Sequence, residues 1–172
     1  MILEPIRLLT DWLNDSGQFV GNTPGVNALL ASTPRDAGDS APSSVTVLDE
    51  TRSSEVARGD LPLTLPALLV TSKEVSALDG EVMTYTRDGV IEVVIRYAAQ
   101  KTDTKVALQD ASYTLRAALR SLRLFNAATH SRNSIDVYSC LSLRLVAMWT
   151  PVESAVVTGA IIGRWQLRDN AP

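Results

Sequence analysis

The spacing of apolar residues divides this chain into stretches with a helical repeat and stretches with a repeat of two. At the start, Ile2, Ile6, Leu9 and Leu13 recur at helical spacing, Leu3 and Trp12 widen the stripe, and Asp15, Ser16 and Gly17 end it. This predicts an amphipathic helix. A shorter helical stretch, Val26 to Ala31, follows Pro24 and Gly25, which suit a turn and a helix start. The clearest helix is further on. Leu108, Ala111, Leu115, Ala118 and Leu122 recur at three and four residues, Asp103 or Thr104 is placed to cap the element, and Arg116, Arg120 and Arg123 lie off the stripe.

The remaining periodic stretches alternate. Leu65 to Val70 is an apolar run behind Pro62 and Pro66, whose missing N–H donors confine that strand to an edge or place the prolines at its entry. Glu81 to Thr86 and Val90 to Ala98 predict a hairpin across Arg87, Asp88 and Gly89, because Asp-Gly favours a tight turn. In the second of these strands Ile91, Val93, Ile95 and Tyr97 point one way, while Glu92 and Arg96 share the other face with Val90 and Val94. After a polar break from Asn126 to Asn133, the residues Ile135, Val137, Leu141, Leu143, Leu145, Ala147 and Trp149 alternate with more polar or mixed positions, the signature of a long half-buried strand. A last strand, Ala155 to Leu167, carries Gly159 and Gly163, which permit bending or a close backbone approach.

Strands largely joined by hairpins, with helices inserted between them, predict a single α+β domain over residues 1–172. The expected architecture is a mostly antiparallel sheet of about five strands with two helices packed on one face. Residues 32–60 depart from both repeats. Pro34, Pro42, Gly38, serines and acids dominate there, interrupted only by the strand-like Val45 to Leu48. Such a stretch is either an extended arm that reaches a neighbouring subunit or a plain long loop.

Composition narrows the function more than the fold. With 172 residues, 45% hydrophobic and 20% charged, the chain can bury a substantial core without disulfide or metal staples. A net charge of -3 gives no general attraction to nucleic acid or to anionic membranes, which leaves protein as the expected partner. No stretch of the sequence reaches the ~20 apolar residues that span a bilayer, and Glu4, Arg7 and Asp11 interrupt the N-terminal segment, so no signal peptide is expected.

Candidate chemistry is sparse. Cys140 is the single cysteine and lies in a strand-like segment, where a small core residue is the simpler reading than a nucleophile. His130 is the only histidine, in a polar loop, without the cysteine or carboxylate company that a zinc site needs. No Gly-x-Ser-x-Gly turn is present to hold a catalytic serine, and no glycine run is followed by the lysine of a phosphate cradle. Asp49, Glu50, Glu55 and Asp60 fall in the arm, which lacks the rigid placement that acid and base catalysis requires. No catalytic, cofactor or metal residues are therefore assigned. Arg116, Arg120 and Arg123, with Lys105 upstream, form a basic band that is either a solvated helix face near a helix C-terminus or a contact to acidic partner surfaces or to DNA passing nearby.

An N-terminal amphipathic helix, a strand entering with DLPLTLPALLV, a hairpin closed by TRDGVIEVVIRYAAQ, a helix ending TLRAALRSL and two final strands together resemble the tail terminator (tail completion) proteins of long-tailed bacteriophages. The resemblance covers the first helix and the chain from Leu61 onward. Ser32 to Asp60 is longer and more polar than in that family. The resemblance implies a non-enzymatic virion protein that forms a ring, expected to be a hexamer, capping the tail tube and joining it to the head connector. Its partners would be copies of itself, the tail tube protein and a neck protein, with DNA passing through the lumen without specific binding, and its place would be the virion tail after synthesis in the host cytoplasm. The alternatives are another neck or head-tail joining protein, the tail tube subunit, or a small ligand-binding domain or enzyme. Position alone suggests three contact regions: Val45, Val47, Asp49 and Glu50 on the arm, Arg87 and Asp88 on the hairpin loop, and the band Arg116, Arg120 and Arg123. Trp149 and Trp165 suit core or interface anchors.

Overall fold

The computed structural model describes residues 3–49, 66–73, 88–100, 104–125, 130–132, 135–146 and 156–169. It is a mixed α+β structure with three helices, α1 (Leu3–Asn14), α2 (Gly25–Ser32) and α3 (Thr104–Phe125). Six strands complete it: β1 (Thr46–Asp49), β2 (Ala67–Lys73), β3 (Asp88–Gln100), β4 (His130–Arg132), β5 (Ile135–Val146) and β6 (Val156–Asp169). They form one sheet in the order β1-β2-β3-β6-β5-β4. Every pairing is antiparallel except β1 with β2.

The helices begin and end where local chemistry directs. Asp15 follows α1 at φ 50, and the Ser16 amide donates back to the Asp11 carbonyl at 2.9 Å, so a left-handed residue closes the helix and satisfies a terminal carbonyl. One core holds the molecule together. It joins Ile6, Leu9 and Leu13 of α1, Val26 and Leu30 of α2, and Ala111, Leu115, Ala118 and Leu122 of α3 to Leu68, Val70, Ile91, Val93, Ile95, Tyr97, Ile161 and Trp165 of the sheet. Register explains the sheet's share: Ile91 faces Trp165, Ile95 faces Ile161, and Leu68 faces Tyr97, which puts these side chains on a single face. Small residues on α3 let that helix approach the sheet closely. Trp165 lies over Gly163, where an added Cβ would stand 2.2 Å from the indole.

Several expectations are corrected. Asp88 and Gly89 are not a turn: both continue β3 and face Arg168 and Leu167 of β6, because that ladder runs unbroken to its end. Glu81 to Thr86 and Arg87 lie outside the described residues. Of the two places left to the prolines of β2, the structure shows the entry: Pro66 stands just before the strand, which sits between β1 and β3, and its carbonyl accepts the Thr46 amide at 3.1 Å. Among the described residues the sheet has six strands where about five were expected, since Thr46–Asp49 pairs with β2 and His130–Arg132 pairs with β5 inside the expected polar break. Leu108 is 42% exposed, because it lies about 100° around α3 from the centre of the buried arc. In β5, Ser139 interrupts the apolar alternation, and the register with β6 shifts between Tyr138 and Cys140 and again between Cys140 and Ser142. Two single shifts restore the parity, so Val137 and Leu143 both register with positions of β6 on the core face.

Candidate interaction surface

The outer side of α3 is the most distinctive surface of the described chain. At helical spacing Lys105, Leu108, Ser112, Arg116, Leu119 and Arg123 form one seam, at steps of three and four residues. Lys105, Leu108, Arg116 and Arg123 are exposed, Ser112 and Leu119 half-buried. Arg120, which donates to the Thr33 hydroxyl at 3.4 Å, and Leu124 flank the seam and are exposed as well. The basic band predicted from sequence is thus one surface, but leucines interleave it. Asp110, the only acid of α3, turns aside and accepts a hydrogen bond from the Ser40 hydroxyl at 2.7 Å.

That bond belongs to a staple that sequence reasoning missed. Asp39 accepts from the Gln109 amide at 2.8 Å and from the Tyr113 hydroxyl at 2.7 Å, and the Asp39 carboxylate raises the Tyr113 phenol pKa. The first part of the expected arm therefore lies along α3. Its signal in sequence, isolated polar residues in a loop and on a helix, has no periodicity to betray it.

Val45 and Val47 are also corrected as arm contacts. Both are buried in the chain's own core. The outer edge of the sheet beside them is closed by two asparagines: Asn27 of α2 accepts from the Val45 amide at 2.8 Å and donates to the Val45 carbonyl at 3.1 Å, while Asn14 of α1 donates to the Val47 carbonyl at 3.2 Å. Asn27 thereby supplies both bonds that a neighbouring strand would. Asp49 is half-buried at the end of β1, Glu50 and Arg87 lie outside the described residues, and Asp88 pairs with Arg168 in the ladder. Among the described residues the sequence-predicted contacts do not gather at one place, though the α3 arginines share a surface.

At the opposite sheet edge, β4 covers Ile135 to Val137 and no other described strand flanks the outer side of β5 from Tyr138 to Val146. Here His130 is no open loop residue. Its ring stacks on Phe125 at 4.1 Å between centroids and meets Trp12 at 5.1 Å and Phe19 at 5.4 Å. Nε2 lies 2.8 Å from the Phe125 carbonyl, so this nitrogen carries the proton and donates. Burial lowers the His130 pKa, opposed by that carbonyl bond. Arg132, two residues on, holds α1 through ion pairs to Glu4 at 3.0 Å and to Asp11. In the interior, burial first and the charge of Asp110 second push the Tyr97 phenol up to about 12, with the Thr114 hydroxyl acting against them. Trp165 is a core residue, Trp149 lies outside the described residues, and Cys140 sits in β5 at the register shifts.

Among the described residues no group of three His, Cys, Asp or Glu side chains is placed to hold a metal ion, and no helix is long and apolar enough to cross a membrane. Compared with known protein families and with curated proteins, the chain matches none.

Proposed function

We propose that this chain is a structural subunit of a bacteriophage tail, of the tail terminator kind, whose work is assembly rather than catalysis. The observation that carries the reading is the order of elements around one sheet: an amphipathic N-terminal helix, β2 and β3, the long α3, then the long β5 and β6. These elements are among those on which the sequence resemblance rests, and they support the reading. In this reading the helices cover one face of the sheet, and copies join head to tail into a ring that stops tube growth and presents a surface to the head connector. A closed ring requires two different complementary patches on each copy, because contacts between identical patches end at a dimer. The sheet margins do not supply that pair by strand addition, since the β1 edge is closed by asparagine side chains, so at least one of the patches lies off the sheet edges.

The test is negative-stain microscopy and native mass measurement of the purified chain, alone and mixed with pre-assembled tail tubes. Closed rings, and tubes capped at one end, are expected. Monomers under both conditions would sink the reading, and unlimited self-polymerisation into tubes would replace it with that of a tube subunit.

A further inference from the structure

We infer that the outer seam of α3 is the face through which one copy of this chain binds the next, seated against an acidic surface of that second copy. The inference rests on the assembly reading above and names the surface it leaves open. Three observations carry it. The seam repeats at three and four residues over about 27 Å of helix, long enough to receive an extended partner surface. Leu108 in the seam is open to solvent at 42%, in a chain whose other described leucines are mostly buried, while Leu119 is half-buried against the core. The charge is one-signed as well, since Lys105, Arg116, Arg120 and Arg123 stand on this side and the only acid of α3 is tied to Ser40.

The helix dipole does not account for this charge. Its pull falls off within the last turn and reaches Arg123, not Arg116. The occupant follows from charge balance. α3 holds four of the chain's 16 basic residues and one of its 19 acids, which leaves 12 against 18 on everything else, an excess of six negative charges. A second copy that approaches with any surface other than α3 is therefore acidic on average, and electrostatic attraction favours α3 meeting such a surface over α3 meeting α3. This is a head-to-tail contact by construction. A nucleic acid backbone would use the cations but gains nothing from Leu108, Leu119 and Leu124, and the net charge of -3 works against it.

The experiment is sedimentation velocity and native mass measurement on the full chain, comparing wild type with Arg116→Glu/Arg123→Glu and with Leu108→Gln, folding being checked by circular dichroism. Wild type should self-associate at low ionic strength and dissociate as salt is raised. The charge-reversed chain should associate about tenfold or more weakly, a loss on the scale of breaking close interfacial charge pairs. Leu108→Gln should weaken association while its salt dependence persists, and Arg116→Lys/Arg123→Lys should retain it. If the reversed chain does not fold, Arg116→Gln/Arg123→Gln takes its place. A reversed chain that still forms wild-type rings overturns this surface and leaves the assembly reading standing. Wild type that never associates overturns both. Loss of binding to a short DNA duplex on reversal, with self-association unchanged, would assign the seam to nucleic acid instead.

Discussion

Replacing Gly163 by alanine tests the tightest packing in the fold. A Cβ at this position would meet Cη2 of Trp165 at 2.2 Å and Cζ3 at 2.3 Å, against 3.4–4 Å for ordinary contact. The indole must move by more than an ångström, yet it is only 1% exposed and packed within the core. Overpacking of this kind costs about 1–3 kcal/mol, and the depth of the overlap puts Gly163→Ala near the upper end. For a chain of this size, about 3 kcal/mol corresponds to a fall of about 6–12 °C in Tm, read by far-ultraviolet circular dichroism. Trp165→Leu removes the part of the ring that overhangs the glycine, so Gly163→Ala should cost about 2 kcal/mol less in that background than in the wild type. Gly21→Ala is the control: nothing lies within 4 Å of its added Cβ, and only its φ of +73 opposes the change. A Gly163→Ala chain that melts with the wild type, or a loss that is no smaller in the Trp165→Leu background, would refute the argument.

Three further outcomes are expected. His130→Gln should flatten the acid limb of stability: with the folded pKa held below the usual 6.5, the unfolded chain takes up the proton first, so wild type loses stability as pH falls below about 6.5 and the variant loses less, measured by denaturant titration across pH. Asn27→Ala should cost about 1–2 kcal/mol in chemical denaturation, since it strips both backbone partners from Val45, and should speed amide exchange at Val45. Arg132→Leu should cost about 1 kcal/mol at low salt and less at high salt, because its pairs with Glu4 and Asp11 are partly solvated.

The parts of the fold that were legible in sequence are those written as period. α1 and the buried stripe of α3 follow from three-and-four spacing, and β3, β5 and β6 from alternation. Short strands were not legible as sheet members: His130–Arg132 has three residues, too few for any repeat, and becomes a strand only because β5 offers it a partner. Asp88-Gly89 misled because a dipeptide's turn preference is weak against ladder bonds to Arg168 and Leu167. Of the candidate contacts, the α3 arginines were visible since a helix converts spacing directly into a surface. Val45 and Val47 were not recognisable as core, because the core that buries them is shared with α1 and α2, helices distant in sequence.

Asn27 and Asn14 also give the sheet a direction. An amide that donates and accepts in the manner of a strand, fixed on a helix, ends the ladder at that margin as a stopper would, so lateral growth by strand addition is blocked there. Any copy that joins by extending the sheet must do so at the far margin, and because its own asparagine-lined margin is equally closed, such joining pairs two far margins and stops at two copies.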